Sequence, residues 1–323
     1  GSGLYILTGS ATPPNDARRH SGAGRFARLT MRPMSLFESG DSTGEMSLAA
    51  LLDGHRPTAK STEMTVPRYA ELVVRGGWPL NLTRTVAAAA RANIDYVTTI
   101  TDVDLPTIDP ARRHPRLALR VLQALARNIG MDYVVTRVAQ DASTDDSDIA
   151  RSTVYDYLAP LERLMMLDPL EAWSSHLRSR ARLRNSPRVQ FCDPSVAVAA
   201  LRAGAGQLLA DLNYFGHLFE ALVVRDLRVF ADAVDGTVQH YRDSDDLEID
   251  AVVTAGDGRW AAFEVKLGQD DIDMAAANLL AFCGKVDTTK IGEPATLAVI
   301  TATGYGYTRP DGVVVLPAAT LGP

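Results

Sequence analysis

Lysine is scarce in this chain. Only Lys60, Lys266, Lys285 and Lys290 contribute to the 33 basic residues, and the rest are arginine. Cysteine is scarcer still: Cys192 and Cys283 lie far apart in apolar surroundings. That spacing argues against a disulfide framework or a thiolate metal site and fits small buried side chains in a reduced, cytoplasmic setting. The six histidines are scattered without ligand spacing. No run of eighteen apolar residues exists, so no membrane span is expected. The N-terminus lacks the basic, apolar, small-residue order of a signal peptide, and Gly1-Ser2-Gly3 in place of a starting Met reads as a cut edge. No Gly-x-x-x-x-Gly-Lys-Ser/Thr segment occurs, so the phosphate-cradling loop of a nucleotide pocket is missing.

What remains is an ordinary globular composition. With 323 residues, 46% of them hydrophobic, the chain can form two or three domains with their own cores. A net charge of −6 argues against a surface that coats nucleic acid uniformly, while leaving room for local basic patches.

Leu4-Tyr5-Ile6-Leu7, closed by Thr8-Gly9-Ser10, reads as a buried strand of a parallel α/β sheet, and 26–31 as a second strand. From Glu45 to Asp109 the pattern is helical, broken by the turn residues Gly76-Gly77-Trp78-Pro79. Three helices are expected next. The first carries Leu117, Val121, Leu122, Leu125 and Ile129; the second spans 134–142; the third starts near Ser152, with a kink at Pro160. A short run at 170–173 and the segment 177–189 then supply a strand pair, completing the order of a winged helix. Beyond Asp193 the expectation is an amphipathic helix over 214–230, strands at 249–253 and 260–267, a helix at 274–282, and strands at 296–301 and 313–316, the last of them final. This is a compact α/β domain.

The hairpin places chemistry. If Gly256-Asp257-Gly258 is a three-residue loop, Ala255 pairs with Arg259, Val253 with Ala261, and Asp250 comes opposite Glu264. Period-two alternation adds Lys266 to that face and leaves Ile249, Ala251, Phe263 and Val265 on the core face. Two opposed carboxylates repel unless a cation lies between them. Hard oxygen donors in small number suit Mg²⁺ (or Mn²⁺), held by Asp250 and Glu264 with the Val265 carbonyl, while Lys266 orients or deprotonates the attacking water. Glu220, set among Leu218, Phe219 and Leu222, is costly to bury alone and is the fourth candidate. The same residues also read as a solvated strand face with a weak ion pair.

The order helix Glu, strand Asp, then Glu-x-Lys resembles the PD-(D/E)xK restriction-endonuclease-like superfamily. Across its length the chain resembles the later part of prokaryotic AAA-type ATPases that carry a C-terminal domain of unknown function. The matching stretches are Ile6-Leu7-Thr8-Gly9-Ser10-Ala11, Gly24-Arg25-Phe26, Arg32-Pro33-Met34-Ser35 with Glu38, and Gly76-Gly77-Trp78-Pro79. They continue through Thr153-Val154-Tyr155-Asp156-Tyr157-Leu158, Phe191-Cys192-Asp193-Pro194, Phe219-Glu220, Tyr241-Arg242-Asp243, Glu248-Ile249-Asp250 and Glu264-Val265-Lys266. The resemblance implies that Thr8, Ser10 and Arg25 face an ATP phosphate only when a missing ATPase core completes the pocket.

The expected architecture is therefore mixed α/β in four parts. Residues 1–45 form the edge of an ATPase domain with a residual P-loop-type strand, 46–111 a helical linker, 112–190 a winged-helix-like module, and 191–323 a restriction-endonuclease-like domain. Arg178, Arg180, Arg182 and Arg184 alternate, as a wing tracking phosphates would, and Arg151 opens the third helix. Edge protection of a strand explains the four arginines equally well. The function expected is a DNA-related, Mg²⁺-dependent phosphodiesterase site, active or lapsed. The alternative is a regulatory module that binds DNA, a protein or a second copy of itself.

Overall fold

The computed structural model describes residues 6, 8–9, 29–56, 58–59, 63–108, 114–145, 147–174 and 186–323. It is mixed α/β, as the patterning predicts. The first elements are β1 (Met46–Ser47), α1 (Leu48–Leu52), α2 (Val66–Arg75), α3 (Val86–Thr99) and α4 (Leu105–Ile108). Thr65 and Thr85 start α2 and α3 by accepting the N–H of Arg68 and Ala88, which leaves fewer orphan donors in each first turn.

α5 (Pro115–Arg127), α6 (Val135–Ala142) and α7 (Arg151–Arg163) follow where 3.6-residue periodicity places them. α7 runs through Pro160 and ends three residues later, so the lost N–H falls in its last turn. Two extended segments then pair antiparallel: Leu170 N–H donates to Arg188 O at 3.1 Å, and Arg188 N–H donates back at 2.9 Å. Val189 N–H bonds Met131 O at 2.8 Å on the other side. Of the strand expected over 4–7, Ile6 is exposed and without regular structure, and the rest lies outside the described residues. The second strand, expected over 26–31, is missing over its described part. Leu29 and Met31 are exposed, with no sheet to cover them.

α8 (Pro194–Leu201) packs on α2, α3 and α5, and α9 (Ala205–Ala210) leads into the long α10 (Leu212–Asp232). α10 was expected to be amphipathic, yet its middle is buried on every side, Arg225 and Asp226 included. The sheet covers one side of it, while α1, α2, α8 and α9 cover others. The sheet contains β2 (Thr237–Arg242), β3 (Glu248–Thr254), β4 (Trp260–Lys266), β5 (Thr296–Thr301), β6 (Tyr307–Thr308) and β7 (Val314–Pro317), in the order β2-β3-β4-β5-β7-β6. β4, β5 and β7 are parallel neighbours, and the other pairs are antiparallel. α11 (Ile272–Lys285) covers the second face and is followed by the short α12 (Thr288–Ile291). The final strand is β8 (Leu321–Gly322), beyond the expected end of the sheet; it pairs in parallel with β1. Two-residue strands give no readable alternation in sequence.

The Gly76-Gly77-Trp78 turn is a packing junction. Gly77 N–H donates to Asp193 Oδ2 at 3.0 Å, and its carbonyl accepts Met34 N–H at 2.7 Å. A Cβ on Gly77 would run into the Met34 carbonyl oxygen. Arg225 binds the same Asp193 oxygen at 2.7 Å and Asp226 at 2.6 Å, and Asp226 accepts Leu36 N–H at 3.0 Å. Three stretches distant in sequence are thus tied to one buried arginine, a geometry in which the paired carboxylates offset the desolvation of the guanidinium.

Candidate active site

The β3–β4 hairpin closes as counted: Ala255 N–H donates to Arg259 O at 2.8 Å, and Val253 sits opposite Ala261. The ladder stops at Ala251–Phe263, one position short of Asp250 and Glu264. On the other side of β3, Gln239 pairs with Val252 and Tyr241 with Ile249, so Asp250 and Ala251 together face the single residue His240. This bulge turns the strand. Ile249 consequently joins Val252, Trp260 and Ala262 in the core under α11, and not Ala251, Phe263 and Val265 in the core under α10 as strict alternation predicts. The Asp250 carboxylate then takes the place of a main-chain partner, with Oδ2 accepting Val265 N–H at 2.8 Å.

Four predicted side chains meet at this end of β4. Lys266 Nζ lies 2.6 Å from Glu264 Oε2 and 3.3 Å from Asp250 Oδ2. Glu220 approaches from α10, joined to Asp250 through a residue that was not placed in the site from sequence. Arg188 Nη1 reaches Glu220 Oε1 at 3.0 Å and Asp250 Oδ1 at 3.4 Å, while Nη2 reaches Glu248 Oε2 at 2.7 Å. Arg188 is 3% exposed. In sequence it reads as one more arginine after an alternating series. The available signal was the apolar pair Val189 and Phe191 flanking Gln190 beside it, which marks a strand with a buried face.

The electrostatics follow from burial and from a surplus of acid. Glu220 is pushed up to about 8, first by burial and then by the Asp250 carboxylate, against the pull of Arg188 and Lys266. Glu264 is likewise pushed up to about 8 by burial and Asp250. Burial also works against ionised Asp250, but Lys266, Arg188 and the Val265 N–H hold it below the usual carboxylate range. Burial disfavours the ammonium of Lys266, yet Asp250 and Glu264 raise it above the ordinary lysine value.

Glu220, Glu248, Asp250 and Glu264 face Arg188 and Lys266, and Arg242 Nε lies 3.2 Å from Glu248 Oε1, so four acids meet three cations. Burial first, and then the neighbouring Asp250 carboxylate, disfavour the ionised forms of Glu220 and Glu264. In kind and charge these oxygen donors suit one divalent ion such as Mg²⁺ or Mn²⁺. Their present positions are closed: Arg188 and Lys266 engage the oxygens that would ligate, and no three Asp, Glu, His or Cys side chains among the described residues are grouped to hold a metal. Glu220, Asp250 and Lys266, together with Arg188 and Glu248 but not Glu264, line a cleft of about 470 Å³ whose wall also includes Gly130, Asn213, Gly216, His217, Gly268 and Asp271.

Other candidates lie apart. Thr8 is exposed without regular structure, and Ser10 and Arg25 lie outside the described residues. Arg178, Arg180, Arg182 and Arg184 also lie outside them, while Arg151 is exposed at the start of α7. No helix among the described residues is long and apolar enough to cross a membrane.

Comparison with known families adds a division of the chain. Residues 66–207 match a domain of unknown function (DUF8612), and residues 215–321 match a second (DUF4143). The cleft lies across the two. Arg188 falls in the first match, and Glu220, Asp250, Glu264 and Lys266 fall in the second. No curated protein and no solved structure matches the chain.

Proposed function

We propose that the DUF4143-matching part carries a Mg²⁺- or Mn²⁺-dependent phosphodiesterase site acting on DNA, within a protein of the ATPase-associated kind that the sequence resembles. The observation that carries this reading is the meeting of Glu220, Asp250, Glu264 and Lys266 at one strand end with more negative charge than the chain neutralises. Asp250 and Glu264 would hold the ion with Glu220 beside them; when bound, it would supply positive charge to the phosphate and acidify a water. Hydrolysis adds a water oxygen to phosphorus and expels an alkoxide, so a base must take a proton and cations must face the phosphate. Lys266, charged and anchored to Glu264, places one such cation at the cleft. Glu220, beside the ion and pushed up to about 8 by burial and Asp250, is a carboxyl able to accept and return a proton around neutrality.

The helical part supports DNA as substrate. We read its order of α5, an extended segment at 130–133, α6, α7 and an antiparallel pair as winged-helix-like, with Arg151 exposed at the start of the third helix. Asp145 and Asp148 precede it and limit tight binding. Incubating supercoiled plasmid with the chain and Mg²⁺ or Mn²⁺ tests the reading: nicking lost in Asp250→Asn and Lys266→Ala supports it, and equal cleavage by all three proteins overturns it. A second reading, a non-catalytic regulatory module, is favoured by the closed ion-pair network around Arg188.

A further inference from the structure

Arg188 stands where a cation is wanted. Its Nη1 lies between Glu220 and Asp250, the two carboxylates nearest the interior of the cleft. Its main chain cannot move easily, because Leu170 bonds it on one side through both N–H and carbonyl, and Asp132 bridges it on the other. On the outward side there is acid to spare: Arg242 by itself pairs with Asp132, Asp246 and Glu248, three carboxylates to one guanidinium. A second cavity of about 290 Å³ adjoins the first and is lined by Gly130, Asp132, Arg137, His217, Arg242 and Glu248, with Arg188 and Glu248 bordering both cavities. Glu248 already holds Nη2 at 2.7 Å on that side and is partly open to solvent. The Asp132 carboxylate lies close enough to favour the charged guanidinium.

We propose that Arg188 has two seats, an inner one on Glu220 and Asp250 and an outer one on Glu248 and Asp132 beside Arg242, and that it competes with a divalent cation for Asp250, the ligand the two share, and for the adjoining Glu220. This rests on the metal-site reading above and adds its control. The first matched domain lends the second a built-in cation, so the acidic cleft is neutralised until an ion displaces the guanidinium outward. The physical basis is charge: two carboxylates brought together in a poorly hydrated cleft need a cation between them, and a guanidinium and a divalent ion cannot both occupy that space. A tethered arginine is a local competitor at high effective concentration, so the wild-type affinity is set by the difference between the two cations.

Calorimetric titration of Mn²⁺ into the full chain and its variants reads this without reference to cleavage. Arg188→Met should bind Mn²⁺ at least about tenfold tighter than wild type, a factor that calorimetry resolves easily. Arg188→Lys, which keeps the charge but loses the fork, should fall between them. Because Arg188→Met removes a buried cation, the Lys variant gives a second, better-tolerated reading, and melting curves recorded beside each titration confirm folding. Asp132→Asn should weaken Mn²⁺ binding in the wild type by removing the outer seat, and should change nothing in the Arg188→Met background. Equal or weaker affinity in both Arg188 variants overturns the competition, and so does the absence of binding in all of them. Tight Mn²⁺ binding that ignores Arg188 would leave the phosphodiesterase reading standing. Tighter binding in Arg188→Met without any cleavage would uphold the competition and discard the reaction.

Discussion

Lys266 Nζ lies 2.6 Å from the carboxylate of Glu264, two positions earlier on the same strand, and Glu264 is 2% exposed. The ammonium therefore does two things at once: it neutralises a buried acid and presents positive charge to the cleft. Lys266→Met should lower plasmid nicking about a hundred- to thousandfold, the usual loss for one preorganised charge at a reacting phosphate. It should also lower stability at neutral pH by about 1–3 kcal/mol, because a buried acceptor loses its donor. Initial rates and urea unfolding check the two halves separately.

Stability of the metal-free protein should depend on pH in a stated window. Glu220 and Glu264 have ordinary values of 4.5 and sit near 8 when folded. Below 4.5 both folded and unfolded chains carry these protons; between 4.5 and 8 only the folded chain does, so it binds more protons and loses stability as pH rises. Above the folded values the curve levels, and Asp250, held low, adds an opposite loss only in strong acid. Urea midpoints with a chelator present should fall across this window, and Glu220→Gln should flatten the fall. A midpoint rising from acid to neutral pH would contradict the assignment.

Gly77→Ala should be a folding mutation with no direct effect on the cleft. The added methyl meets the Met34 carbonyl oxygen, main chain of a residue whose N–H donates to the Gly77 carbonyl. A loss of about 1–3 kcal/mol is expected, the range for overpacking a site that cannot relax. Thermal melting measures it, and Mn²⁺ affinity below the new melting point should be unchanged.

Arg151→Ala tests the proposed contact of α7 with DNA. If α7 meets DNA at its N-terminal turn, the variant should bind all sequences more weakly by a similar factor and reduce the salt slope by about 1, as one lost phosphate contact does. Fluorescence anisotropy at several salt concentrations reads this. An unchanged slope removes Arg151 from the interface.

Much of the architecture was legible from local chemistry. Threonine caps, 3.6-residue periodicity and the Gly256-Asp257-Gly258 loop act over a few residues, and so the helices over 115–163 and the register Val253–Ala261 could be counted from the chain. That Glu220, Asp250, Glu264 and Lys266 would share a site followed from alternation on one hairpin plus one acid on an otherwise apolar helix face. Alternation misplaced Ile249, because the Asp250–Ala251 bulge depends on how β2 pairs, which no local pattern states.

By itself, then, the sequence determined the elements, the hairpin register and the surplus of acid near Lys266. Only the tertiary structure decided that Arg188 enters the site. It lies on a segment paired with residues 131–132 and 170, and it reaches acids 32, 60 and 62 positions away. Contacts at such separations are chosen by the packing of the whole sheet against α10, since a buried guanidinium and buried carboxylates are each too costly to hold alone and are driven to the one place where they meet.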